Sequence, residues 1–210
     1  MQIQAQIGPV ATSSSLSAGQ LAPVRQGNMG DLIASELHGR YYEATYRQSL
    51  FAGAVVGTTT VAGAITAITG GLVLTNPIGS GVNIVLNKFG FAFYVAFPAA
   101  AAVGLAAGFN GGTAVTQTTP VTPRSQFVGI GASGKGLLAS AVTLPTAPNI
   151  VGIYASGLTG AITTAPFIQS IVDLEGSIIL PPGGYVLPYT STVSGTSGAA
   201  FSFSWEEVPL

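Results

Sequence analysis

The chain has 210 residues, of which only 13 are charged (6 Lys or Arg and 7 Asp or Glu). That is 6 %, where an average soluble domain carries roughly 25 %. A net charge of −1 gives no cationic face for nucleic-acid phosphates. The absence of Cys excludes a disulfide framework and a thiolate metal site, and a single His excludes the multi-His metal site of a cupin-type enzyme. A surface made of hydroxyls, amides and small apolar groups instead suits burial in a large assembly, where each unpaired charge is costly to desolvate.

In chain order, residues 1–27 are rich in Gln, Ser, Ala and Pro without a sustained period, and Pro9 and Pro23 exclude a long helix. Such a stretch is either a disordered tail or an extended N-terminal arm that orders on a neighbouring subunit; we assign it as an extended arm. It has neither the basic start nor the apolar core of a signal peptide.

Residues 28–49 form a charged connector. Glu36/Arg40 and Glu43/Arg47 are i,i+4 pairs with the acid first, the favourable order on a helix. Ile33, Leu37 and Tyr41 follow the same spacing and Asp31 stands where a cap would, so the pattern predicts a short helix rather than a strand. His38 lies beside Glu36 and Glu43, but no nucleophile accompanies them in a recognised spacing. An ion-paired helical collar is the preferred reading. No catalytic, cofactor-binding or metal-binding residue is assigned anywhere in the chain, and no enzyme activity is expected.

Residues 50–210 are expected to form one β-sandwich. The β-branched stretch Val55 to Ile68 is interrupted by Gly57 and Gly63, and turns are marked at Gly70-Gly71, Asn76-Pro77 and Asn110-Gly111-Gly112. Gly79-Ser80-Gly81 with Lys88 downstream lacks the Gly-Lys-Ser/Thr ending of a phosphate loop, so these glycines read as turn formers. Phe89 to Phe109 is a charge-free run of 21 residues, long enough to cross a bilayer. Its alternation of Phe89, Phe91, Phe93, Val95 and Phe97 with Gly90, Ala92, Tyr94 and Ala96 is a strand period, and Pro98 interrupts it, so no membrane partner is expected. Further strands are predicted at residues 113–118, 126–130, 136–144, 149–154 and 167–172, separated by Pro and Gly at the spacing of a sandwich or barrel.

In the last stretch, Ile178 and Leu180, then Tyr185, Leu187 and Tyr189, fall at alternate positions around the turn Pro181-Pro182-Gly183-Gly184. Phe201, Phe203 and Trp205 share one face of a final strand, opposite Ser202, Ser204 and Glu206. A terminal strand carrying the only Trp predicts a chain end set into the middle of a sheet.

Three segments, Asn76–Leu86 (NPIGSGVNIVL), Gly176–Tyr189 (GSIILPPGGYVLPY) and Phe203–Leu210 (FSWEEVPL), resemble a largely uncharacterised group of virion proteins of tailed bacteriophages. The resemblance covers residues 30–210, and the terminal W-E-E-x-P-L is its most specific piece. It implies a trimeric jelly roll that serves as a capsid decoration, cement or head-fibre protein, with the major capsid protein or other virion proteins as partners. The location it implies is the capsid surface of the virion, and the host cytoplasm during assembly. It brings no catalytic residue. The alternatives are a tail or fibre-adaptor protein, a carbohydrate-binding receptor-recognition module, and a membrane-active protein of the holin kind.

Overall fold

The computed structural model describes residues 5–6, 24–25, 39–58, 67–93, 95, 97, 99–109, 112–129, 133–157, 169–192 and 198–210. Two compact units divide the chain, residues 1–42 and 43–210. In the first, β1 (Ala5–Gln6) and β2 (Val24–Arg25) form a two-residue parallel ladder. The rest of the arm expected over 1–27 lies outside the described residues, as do Asp31, Ile33, Glu36, Leu37 and His38. Among the described residues of 28–49, the helix expected there is one turn, α1 (Tyr42–Tyr46). It stops because Gln48 adopts φ 59° and the N–H groups of Gln48 and Ser49 turn back to the carbonyls of Thr45 and Ala44, a left-handed C-terminal cap.

The second unit is an all-β sandwich. Its strands are β3 (Leu50–Thr58), β4 (Ile68–Thr75), β5 (Val82–Phe93), β6 (Ala101–Phe109), β7 (Thr116–Val121), β8 (Arg124–Ser125), β9 (Leu137–Thr143), β10 (Asn149–Gly157), β11 (Gln169–Asp173), β12 (Ile179–Leu180), β13 (Gly184–Thr190) and β14 (Ala199–Pro209). One sheet runs β11-β5-β14-β3-β8, with β12 also on β5, and the other runs β10-β6-β13-β4-β9-β7. Every pairing within these two sheets is antiparallel. Strand β3 pairs with β14, β4 with β13, β5 with β11 and β6 with β10, so a four-strand half folds back on a second four-strand half. The two quartets β3-β14-β5-β11 and β4-β13-β6-β10 have the jelly-roll order. Strands β7, β8 and β9, inserted between β6 and β10, lengthen the sheets beyond β4 and β3.

Strand β14 lies between β3 and β5, the central position expected for the chain end. Phe201, Phe203 and Trp205 are buried while Ser202, Ser204 and Glu206 are only partly so, as their alternation requires. Phe89 lies 5.4 Å from Phe203 and 6.3 Å from Phe201 between ring centroids, and Phe51 stacks on Trp205 at 6.2 Å. Leu72, Leu74, Val103, Leu105, Leu138 and Val186 close this core from the opposite sheet.

Several elements depart from their expected form. The strand expected after the Asn76-Pro77 turn and the aromatic strand are one element, β5. Ile84 and Leu86 point inward and so does Phe89, a break of parity that a β-bulge absorbs where the register against β14 shifts between Leu86 and Lys88. Strand β5 ends at Phe93, so Val95 lies past it and exposed, although Phe97 still packs in the core at 4.7 Å from Phe93. Phe89 to Phe109 is thus divided between β5 and β6, on different sheets, and among the described residues no helix is long and apolar enough to cross a membrane. The small-residue run after Phe97 is the well-buried strand β6. The strand expected at 126–130 is a turn over its described residues, the pairing having ended at Ser125.

Candidate interaction surface

The segments Asn76–Leu86, Gly176–Tyr189 and Phe203–Leu210 meet at one end of the sandwich. Asn76, fully buried, donates from Nδ2 to the carbonyls of Val82 and Leu180, both at 2.8 Å. Its backbone N–H reaches Gly184 O at 2.9 Å and its carbonyl accepts from Gly183 N at 2.8 Å. The turn at Pro181 closes through Gly184 N to Pro181 O at 2.8 Å with Gly183 at φ 91°, the type II geometry that glycine permits. Instead of making a hairpin, this turn carries the chain from β12 in one sheet to β13 in the other. The end of β14 then pairs with β5, Pro209 opposite Val82, and Leu210 N reaches Gly81 O at 3.1 Å.

The two glutamates of the terminal motif divide their roles. Glu206 is partly exposed, with Ser49 Oγ donating to its Oε1 at 3.3 Å. Glu207 turns inward and is buried. Its carboxylate accepts from Lys135 N and Gly136 N at 2.8 Å and from the Trp205 indole N–H at 3.2 Å. Gly136 leaves room there, since a Cβ would stand 2.9 Å from the end of the Ile84 side chain and 3.1 Å from the indole nitrogen, and these would have to shift. Alternation puts Glu207 on the same face as Trp205, but its two backbone partners are about seventy residues away in sequence, and no local signal announces them. Beside this clasp a cleft of about 530 Å³ is lined by Arg47, Lys135 and Glu206 among others.

His38 and Glu36 lie outside the described residues, as does the side chain of Glu43. Lys88 pairs with Asp173 at 3.4 Å across the β5–β11 ladder, where the two residues stand opposite each other. Gly79 and Gly81 both adopt φ 74° in the turn before β5. Among the described residues no group of three His, Cys, Asp or Glu side chains is placed to hold a metal. Trp205 is at 0 % exposure, so it is not available as a sugar-stacking platform.

A larger asymmetry separates the two sheets. Arg124, Lys88, Asp173, Glu206 and Glu207 all belong to strands of the β11-β5-β14-β3-β8 sheet. The six strands of the other sheet contain no Asp, Glu, Lys or Arg. Its central strand β13 is buried on both faces. Val186 joins the main core, whereas Tyr185, Leu187 and Tyr189 form a second apolar cluster with Val73, Ala106 and Val142 on the far side. The Tyr185 hydroxyl donates to Thr146 O at 2.8 Å and lies 2.8 Å from Thr146 Oγ1. At the edge of this sheet, Tyr154 has its pKa raised above the usual phenol value by burial.

No protein family, curated protein or solved structure matches the chain.

Proposed function

We propose that the protein is a structural component of a bacteriophage virion, a self-associating decoration, cement or head-fibre protein that covers the capsid shell as a homotrimer. The observation that carries the reading is the six-stranded sheet without a single charge. The middle of that sheet is buried on both faces within one chain, but its edge strands β7 and β10 are exposed; an edge that faces water as a monomer ordinarily shows charged side chains, whereas one buried against other subunits gains by omitting them. The jelly-roll order adds support, since this architecture recurs in capsid and lectin domains. Fold alone does not assign a function, and the virus and the trimer rest on the resemblance of the three terminal-corner segments. The buried Trp205 weighs against the carbohydrate-binding alternative.

Negative-stain imaging of particles assembled with and without the protein tests the reading. Density added over the head surface supports it. Density confined to the tail transfers the protein to the tail or fibre-adaptor class, and particles indistinguishable with and without the chain refute both.

A further inference from the structure

Strand β10 ends the uncharged sheet and is unlike an ordinary edge. Its register against β6 slips between Ile150 and Gly152 and again between Ile153 and Ala155, so Val151 and Tyr154 are the extra residues of two bulges. The chain can press this close because Gly104 has no side chain, and a Cβ there would collide with the carbonyl oxygen of Gly152. The outcome is four apolar or aromatic side chains in five positions that stay in water: Ile150 at 45 % exposure, Val151 at 49 %, Ile153 at 52 % and Tyr154 at 36 %. Ile150 stands opposite Ala106, a member of the outer apolar cluster, so the exposed side chains continue a buried layer.

We propose that the β10 edge is the contact surface between copies of this chain, made by packing of Ile150, Val151, Ile153 and Tyr154 and not by adding a strand to the sheet. This rests on the self-association reading above and names its surface. Two bulges within nine residues break the even spacing of N–H and C=O groups that strand addition needs, so side chains must supply the contact. The choice of a second copy as occupant follows from charge. A surface that meets its own copies must not repel itself, and β10, its neighbour β6 and the rest of the sheet carry no charge to do so. A partner of different kind is ordinarily selected by complementary potential, and this surface presents none to read. Interfaces between identical subunits are also the more apolar class.

Light scattering of the full chain across a concentration series is the test, using Ile153→Lys and Val151→Lys, with Ile171→Lys on the opposite sheet's edge strand as the exposed apolar control. The wild type and Ile171→Lys should associate alike. Each β10 variant should weaken association by roughly 100-fold or more, because an unpaired ammonium would be desolvated in the contact. Both sites are half exposed, so unfolding midpoints close to the wild type's are expected and show that the loss is not misfolding. An oligomeric wild type with both β10 variants still oligomeric overturns the surface and leaves self-association standing. Dissociation by Ile171→Lys instead moves the contact to β11 and overturns it equally. A wild type that stays monomeric at every concentration refutes the self-association reading itself, and this surface with it.

Discussion

Replacing Glu207 tests how far the terminal motif holds the sandwich together. Its carboxylate is the acceptor for three N–H groups: two from the backbone at Lys135 and Gly136, and the indole of Trp205. Glu207→Ala leaves all three without that acceptor. A hydrogen bond to a charged group contributes about 1.5–3 kcal/mol, and a buried donor left unmade costs about 1–3 kcal/mol. Lys135 is exposed and water can reach its N–H, so we expect a loss of about 3–5 kcal/mol, a large share of the roughly 5–15 kcal/mol typical of a folded domain. For a chain of this length that is a fall in Tm of about 6–20 °C. Glu207→Gln keeps one acceptor oxygen but sets an amide N–H₂ against Lys135 N, so roughly half the loss should remain. Glu206→Ala, which removes only one partly exposed contact with Ser49, should stay within about 1 kcal/mol. Thermal unfolding followed by the fluorescence of Trp205 is the assay, because the indole is itself one of the three donors. A Glu207→Ala protein melting within about 2 °C of the wild type would refute the clasp.

Trp205→Ala should unfold the protein or destabilise it by about 3–5 kcal/mol, with Ser204→Ala near neutral; native emission characteristic of a fully wetted indole would contradict the burial on which this depends. Asn76→Ala should cost about 2–4 kcal/mol by leaving the Val82 and Leu180 carbonyls without their donor, and Asn76→Asp should cost more, since it aims a carboxylate at both; urea midpoints that rank Asp at or above wild type would refute the corner. Self-association should be unchanged or strengthened as salt rises from low ionic strength to near 1 M, because no charge pair spans the surface and only exposed charges are screened. Dissociation at high salt, followed by light scattering, would show an electrostatic interface instead.

What could be read from the sequence is what local periodicity and turn chemistry dictate. Phe201, Phe203 and Trp205 alternate with Ser202, Ser204 and Glu206, and that period alone sets which face is buried. Pro181-Pro182-Gly183-Gly184 fixes a turn because proline presets φ and Gly183 accepts a positive one. The class of fold and the central place of the last strand followed from such signals. The short span of α1 was less legible, because its end depends on Gln48 entering the left-handed region, which no composition rule selects. The rest belongs to tertiary structure, because strand pairing is decided between residues far apart in the chain. Only the folded register shows that a bulge joins Ile84, Leu86 and Phe89 into one strand, or that the turn at Pro181 changes sheets. Only the folded chain brings Glu207 to Lys135 and Gly136, and Asn76 to Leu180. The separation of charge is likewise invisible in linear order: uncharged β4, β6, β7, β9, β10 and β13 are interleaved in sequence with the strands that bear Lys88, Arg124, Asp173 and Glu206, and they become one uncharged sheet only when the two halves fold back on each other.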